Sequence, residues 1–450
     1  MLIWQVFIIV KDVIILEYQL QDEKKRVLAY VMSKEEFTLK EITEILLSPV
    51  LQPRYKIVIL YPDESEYMEI DENDIVDGSI SYTNKYQKGE RKTLSFTLIN
   101  YNGKYTPSSN IKRERYTSGN KENQKSTLYT DEVWGDLKFA FYFGFYHMGK
   151  ECWFKKGVYC IDSLSGTEND ADRTIQFSLS DKFSILSGKQ GTLLDTYEIP
   201  VGSDAIKVIN DLFNMPLGNG YIYDYQPIIY DKRFANFKTQ ATIRKDSGDT
   251  VASIIDDLAT QMSANYYYND YGCFTLEFLD ETITDDNKIV CWEYLTKNYD
   301  LYNISYNYNF SEAVNVVKVV GDNINNGVYF ATAINDDPRS PICVGRIGNR
   351  KEPPITNCNV WNDNMARELA IYNLRKKSLI PLELTATVAF NPLLEVDYLC
   401  RVEFPNLGFS NDRCVINSIS LSTQDNSMNL SLTKTEDLDF LNAGGEYNGL

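Results

Sequence analysis

Apolar and polar residues alternate with a period of two through much of the chain, most cleanly over Lys92 to Ile99, where Leu94, Phe96 and Leu98 share one face of a strand. Similar runs precede it at Lys56 to Tyr61, Tyr67 to Ile70 and Ile75 to Thr83, and others follow at Leu137 to Tyr146, Tyr159 to Leu164 and Arg173 to Leu179. Turn residues from Asn100 to Pro107 break the pattern, and the polar stretch 108–130 is expected to be a long exposed loop. Ahead of this region, residues 2–20 read as two strands around Lys11-Asp12. Residues 38–47 read as a helix: Thr38 and Glu41 form a capping box, Phe37 and Ile42 flank it as a staple, and Pro49 and Pro53 end it.

Farther along, the period lengthens to that of a helix. Ala205, Val208, Ile209, Leu212 and Phe213 fall on one face of a helix that stops at Met215-Pro216. A second helix, capped by Asp249, carries the stripe Val251, Ile254, Ile255, Leu258 and Met262, and Tyr266 to Phe278 then reads as a tight hairpin turning at Asn269 to Gly272. Strands restart at 303–321 and give way to a third helix at 363–377, with Ala366, Leu369, Ala370 and Leu374 inward. They resume at Leu382 and continue through Leu399 to Phe404, Cys414 to Leu421 and Met428 to Leu432, before a frayed tail over 439–450.

One segment occurs twice in outline. Residues 160–186 return as residues 414–438: Ile161-Asp162-Ser163-Leu164-Ser165 answers Ile416-Asn417-Ser418-Ile419-Ser420, and Phe177-Ser178-Leu179-Ser180 answers Leu430-Ser431-Leu432-Thr433. The leading edges echo as well, Ile80-Ser81-Tyr82-Thr83-Asn84 against Ile304-Ser305-Tyr306-Asn307. A β domain used twice, split by something else, is the simplest explanation.

Composition narrows the function. A formal charge of −18 argues against a protein that grips nucleic acid by its phosphates, because such binding needs Lys and Arg to release counterions. The 32 tyrosines suit a β-rich chain with half-exposed strands. Eight cysteines without a CxxC pair speak against a zinc site, and their dispersed spacing suggests free, mostly buried thiols made in a reducing cytoplasm. The apolar N-terminus lacks a basic leader, and Lys11-Asp12 interrupts it far short of the roughly 20 residues a membrane span needs.

Candidate chemistry is sparse. A single histidine, His147, leaves no room for most imidazole-dependent constellations and reads as a sheet-edge residue beside aromatics. Asp256-Asp257, Asp285-Asp286, Asp336-Asp337 and the pair Asp170 and Asp172 could serve a two-carboxylate hydrolase, but each sits in a helix-surface or turn context. Asp322 to Gly327 fails as a calcium loop because Ile324 stands where an oxygen ligand belongs. Gly345-Arg346-Ile347-Gly348 is a bare GxxG, and Lys112, Arg113, Arg115, Lys121 and Lys125 read as a solvated basic loop. No cofactor, metal or catalytic residue is expected.

The run Leu94-Ser95-Phe96-Thr97-Leu98-Ile99-Asn100-Tyr101-Asn102-Gly103-Lys104-Tyr105-Thr106-Pro107 resembles the strand and turn that open the first β-barrel of phage tail hub proteins, where an S-x-x-L-x-N-x-x-G-x-[YF]-x-P pattern is common. Other features follow in the family's order: Ser178-Leu179-Ser180-Asp181 ending the first barrel, two helices with the hairpin from Asn269 to Phe278, Val314 to Gly321 opening the second barrel, the helix at 363–377, and Leu394-Glu395-Val396-Asp397. The resemblance covers residues 56–437 and extends to the structural N-terminal part of tail-associated lysins; the residues that carry it are Asn100, Gly103, Pro107, Asp181, Gly321 and Asp397. It implies a non-enzymatic homotrimer whose two barrels per chain alternate in a pseudo-sixfold ring. Such a ring caps a hexameric distal tail or tail tube protein, meets a spike or fibre protein, holds the tape measure protein, and opens for DNA that passes without specific binding. Assembly in the bacterial host cytoplasm and a final place in the virion tail follow.

The expected fold is mainly β with α+β. It divides into an N-terminal α+β extension (1–55), a first β-barrel (56–188), an α+β middle region (189–300), a second β-barrel with a helical insertion near 335–380 (301–438) and a tail (439–450). Residues 1–55 have no counterpart in the family pattern, and nothing after about 440 is long enough for a lysin or receptor-binding domain. Two other readings stay open: a tail-associated cell-wall hydrolase, or a carbohydrate-binding receptor module using exposed Tyr and Trp.

Overall fold

The structure is a computed structural model that describes residues 4–10, 13–19, 29–32, 39–48, 51–101, 104–106, 135–147, 149–169, 173–217, 220–278, 290–295, 298, 300–308, 311, 313–323, 327–340, 342–356, 360, 362–378, 382–424, 426–434 and 442–443. The N-terminal segment forms an antiparallel sheet of β1 (Trp4–Val10), β2 (Val13–Gln19) and β3 (Ala29–Met32), followed by α1 (Leu39–Leu46). Thr38, the expected cap of α1, lies outside the described residues. Seven strands come next: β4 (Pro53–Leu60), β5 (Glu66–Glu69), β6 (Ser81–Lys85), β7 (Lys92–Ile99), β8 (Lys138–His147), β9 (Lys150–Glu168) and β10 (Arg173–Asp181).

The middle region holds α2 (Phe183–Ser187), β11 (Tyr197–Ile199), α3 (Ala205–Phe213), β12 (Ile229–Tyr230), β13 (Ile243–Lys245), α4 (Val251–Gln261), β14 (Ala264–Tyr268) and β15 (Phe274–Phe278). Asp204 caps α3 by accepting the Lys207 N–H at 3.1 Å. The cap of α4 is Thr250, whose hydroxyl accepts the Ser253 N–H at 3.2 Å, and not the expected Asp249, which instead accepts the Asp246 N–H at 2.9 Å. The last part of the chain contains β16 (Val290–Tyr294), β17 (Leu301–Tyr308), β18 (Val316–Asn323), β19 (Gly327–Ile334), α5 (Val344–Ile347), β20 (Ile355–Thr356) and α6 (Asp363–Ser378). It ends with β21 (Leu382–Ala389), β22 (Leu399–Phe404), β23 (Phe409–Ser422), β24 (Ser427–Lys434) and β25 (Asn442–Ala443).

Thirteen strands form one sheet, in the order β17-β21-β24-β23-β6-β7-β10-β9-β8-β4-β5, with β22 beside β23 and β16 beside β22. All its pairings are antiparallel except β16 with β22. Two separate closed barrels were expected; among the described residues the pairing closes no ring, and the two halves are fused edge to edge. The physical cause is the length of β23. Its first part pairs with β22, and beyond Asn417 the same edge pairs with β6 of the first half. Val316 to Gly321 lies outside this sheet, in a smaller one of order β20-β18-β19-β25 that packs on α6 through Val317, Val319, Ala331, Ala333, Ala366, Ala370 and Leu374.

One hydrophobic core serves both halves of the large sheet. It runs from Ile42 and Leu46 of α1 through Ile59, Phe96, Phe139 and Phe177 to Leu384, Ile416 and Leu430. Phe96 and Phe177, paired across β7 and β10, stack with ring centroids 4.9 Å apart. The middle region has its own core, in which α3 and α4 pack on β14 and β15 through Ile209, Leu212, Ile254, Ile255, Leu258 and Phe274.

Buried ions lock the middle region onto the large sheet. Lys182, whose side chain is fully buried, donates to Glu64 at 2.5 Å, to Asp224 at 2.6 Å and to the Gly272 carbonyl at 2.8 Å, and Lys138 of β8 reaches Glu64 at 2.9 Å. The turn between β14 and β15 extends this cluster: Asp270 pairs with Lys92 of β7 and, at 3.1 Å, with Lys156 of β9. Lys156 also donates to the Leu394 carbonyl at 3.4 Å, which brings in the second half. Gly272 has φ +80, and a Cβ there would lie 2.7 Å from Val158 Cγ2, so the turn fits against β9 only with glycine. Burial alone would push the Glu64 carboxyl up, but Lys182 and Lys138 draw it down to about 2.

Two outcomes follow from this packing. Phe177→Ala should lower the unfolding free energy by about 3–5 kcal/mol, while Leu194→Ala, at a position 84% exposed, should change it by less than about 0.5 kcal/mol; denaturant titration of both compares them. Glu64 supplies stability that is present above its ordinary value of 4.5 and lost as the pH falls through about 2. Glu64→Gln should therefore cost about 3–5 kcal/mol at pH 7 and flatten the acid limb of stability over that window, measured by denaturant titration at stepped pH.

Candidate functional site

The feature that carries functional information is a unit used twice within the large sheet. The first half runs β6-β7-β10-β9-β8 and the second β17-β21-β24-β23-β22, the same connectivity in the same spatial order. The residue registers agree with the sequence echo. In the first unit Leu179 lies opposite Leu94, and Leu94 opposite Tyr82. In the second, Leu432 lies opposite Leu384, and Leu384 opposite Tyr306. The sequence echo independently pairs Leu179 with Leu432 and Tyr82 with Tyr306, so both routes give one correspondence.

Even an irregularity is duplicated. The β9–β10 ladder steps from Ser163 opposite Ser178 to Ile161 opposite Leu179, leaving Asp162 as a bulge. The β23–β24 ladder steps from Ser418 opposite Ser431 to Ile416 opposite Leu432, leaving Asn417 as a bulge. Each bulged side chain bonds the equivalent hydroxyl: Ser180 donates to Asp162 at 2.5 Å, and Asn417 donates to Thr433 at 2.6 Å. In the second unit the bulged carbonyl of Asn417 also accepts the Tyr86 N–H at 2.7 Å, which starts the seam with β6.

The motif residues named from sequence stand at turns and close approaches. Asn100 follows β7; its side chain accepts the Tyr105 N–H at 2.9 Å and donates to Thr106 at 2.6 Å, which folds Tyr105 into the core with no exposed surface. The Tyr105 hydroxyl donates to Asp74 at 2.6 Å. Gly103 and Pro107 lie outside the described residues, as do the basic loop residues Lys112 to Lys125. Asp181 closes β10 and is buried, accepting N–H groups of Arg91 at 2.7 Å, Lys92 at 3.0 Å and Phe183 at 3.0 Å. Burial nevertheless pushes its carboxyl up to about 6. Gly321 sits on β18, where a Cβ would lie 2.6 Å from the Val360 carbonyl oxygen. Asp397 adopts φ 68 ahead of β22 and donates its N–H to the Ile416 carbonyl at 2.8 Å. Among the described residues, Asn100, Asp181, Gly321 and Asp397 each bond to or pack on different partners.

The carboxylate pairs are equally dispersed. Asp256 accepts the Tyr266 hydroxyl at 3.1 Å and Asp257 pairs with Lys245 at 2.9 Å, while Asp337 holds Arg339 at 2.6 Å in a turn. Asp170, Asp172, Asp285 and Asp286 lie outside the described residues. His147 ends β8 opposite Lys150, at the tip of a hairpin. The seven described cysteines are free thiols, all but Cys291 buried. Gly345 to Gly348 forms α5 and its end, a four-residue helix. No described helix is long and apolar enough to cross a membrane. Sequence reading passes over Tyr105, although the motif holds an aromatic at that place, and over Glu64 and Asp270, whose turn settings read as solvated.

No protein-family model matches the chain, and no curated protein sequence matches it. Solved structures do. The 43 kDa tail protein of prophage MuSo2 from Shewanella oneidensis superposes with a TM-score of 0.50 at 13% identity, covering 84% of this chain and 98% of its own. A tail protein from Neisseria meningitidis MC58 gives a TM-score of 0.54 at 10% identity, covering 85% of this chain and 97% of its own. The chain thus carries the fold of these tail proteins, the class toward which its own motifs pointed.

Proposed function

We propose that this chain is the structural, non-enzymatic hub of a bacteriophage tail baseplate or tail tip. Three copies form a ring in which the two units of each chain alternate around a channel, each unit forming the wall of a barrel. The ring caps a hexameric tail tube or distal tail protein, holds the end of the tape measure protein, joins the tube to a spike or fibre, and opens for DNA. The observation that carries this reading is the register-level repeat: two equivalent units in each of three chains present six equivalent surfaces to a sixfold partner. The fold shared with the Shewanella oneidensis and Neisseria meningitidis tail proteins supports it. The charge of −18 supports passage of DNA without adhesion to the wall. Asn100, Gly103, Pro107, Asp181, Gly321 and Asp397 act in this reading as supports of turns and close approaches, with no chemical role.

The purified chain should have a solution mass of three copies by light scattering, and negative-stain images should show a closed threefold ring with a central channel. A monomer that releases sugar or peptide from bacterial cell walls would overturn the hub in favour of a hydrolase.

A further inference from the structure

The segment Leu394-Glu395-Val396-Asp397, between β21 and β22, carries a side chain that the repeat does not explain. Glu395 reaches out of its own unit: its Oε1 accepts the Asn84 amide of β6 at 2.5 Å, as well as the neighbouring Val396 N–H at 3.2 Å. Its carboxyl is also hydrogen-bonded to that of Asp270, in the turn between β14 and β15. One chain of bonds thus runs from the first unit through the second to the middle region.

Two carboxyls cannot bond to each other without a proton, because an ionised carboxylate has only acceptors. The surrounding charges decide which of the two carries it. Asp270 pairs with Lys92 of β7 and, at 3.1 Å, with Lys156 of β9, whereas Lys156 stands 4.0 Å from Glu395 Oε2, beyond hydrogen-bond reach. Asp181, at the end of β10, also acts on Lys92. Two ammonium groups therefore face three carboxyls, and Glu395 is the one left with an amide for a partner. The other titratable groups that interact with it, Tyr82 of β6, Tyr159 of β9 and Cys291 of β16, are held neutral by burial. Burial and the Asp270 carboxylate raise the Glu395 carboxyl above its ordinary value of 4.5. Burial would raise Asp270 as well, but Lys156 and Lys92 hold it below its ordinary 3.8. The Glu395 side chain keeps 24% of its surface exposed, so the proton has a route to solvent.

We propose that the Glu395 and Asp270 carboxyls form a proton site that latches the second unit to the middle region, with one proton shared between them and carried by Glu395. Loss of that proton sets a third negative charge against Asp270 and removes the bond. A carboxyl that holds its proton more tightly folded than unfolded adds stability that is fully present below 4.5 and is lost as the pH rises through its folded value. The sign is opposite to that of Glu64, whose contribution is lost on acidification. The site lies within one chain and is independent of any ring.

The test is Glu395→Gln in the full chain, because a glutamine amide reproduces a protonated carboxyl: its N–H donates to Asp270 and its carbonyl accepts the Asn84 amide. Denaturant titration of both chains at stepped pH, from 4.5 to about 8, gives the ratio of wild-type to variant folding constants, in which titrations common to both cancel. The ratio should fall as the pH rises, by up to about tenfold per pH unit, the slope of one proton, and then level off. Infrared spectra above pH 4.5 should show a protonated-carboxyl C=O band in the wild type that the variant lacks. A ratio that rises with pH makes Glu395 an ionised partner of Lys156 and overturns the proton site, and a ratio that stays level overturns it as well. A Glu395→Gln chain that does not fold has the same force, since the site would then require the charge. So has the absence of the band from the wild type.

Discussion

The seating of the middle region on the large sheet depends on charges that the fold takes out of water. Lys182, Glu64 and Asp224 on one side, and Lys92, Lys156 and Asp270 on the other, are held between the sheet and the turn of the β14–β15 hairpin. An ion in such a place is tolerated only while its partners stay within hydrogen-bond reach. The middle region therefore cannot drift against the sheet by even a few tenths of a nanometre without exposing an unpaired charge to an apolar setting. Hydrophobic contact gives adhesion, but the paired ions give a single position.

The fusion of the two units has the same character at the level of the backbone. β23 changes neighbours along one edge, from β22 to β6, and the bulge at Asn417 marks the change. A bulge adds local twist and leaves one residue out of the ladder, which lets a strand leave one partner and meet another without stranding several amides. The same device at Asp162 belongs to a strand whose outer stretch has no such ladder partner among the described residues.

Much of this was legible from the pattern of residues. The alternation of Leu94, Phe96 and Leu98 gave a strand with that face buried, and the stripes on α3 and α4 face the core, because burial of one face is a local property that periodicity records. The echo of Ile161 to Ser165 in Ile416 to Ser420 located the repeated unit to the residue. Partner choice between strands was not legible: nothing in the composition of β23 says that it pairs with β6 instead of closing its own barrel, since backbone hydrogen bonds are blind to side chains. The ionic cluster was hidden for a related reason. Asp270 sits in an Asn-Asp-Tyr-Gly turn, a setting that reads as solvated, and only the long-range packing of that turn against β9 buries it.

The two units differ most at one place. Between β6 and β7 the first has a short turn, residues 86–91, where Gly89 donates to the Tyr266 carbonyl. At the corresponding place between β17 and β21 the second carries a whole additional sheet with α6. The strands correspond while the connections do not: residues 100–137 join β7 to β8, against 390–398 between β21 and β22. In a ring of three chains the strand wall would recur every sixty degrees while this elaboration recurred every one hundred and twenty. A single polypeptide would then resolve a symmetry mismatch by itself, sixfold along its wall and threefold wherever the insertion projects.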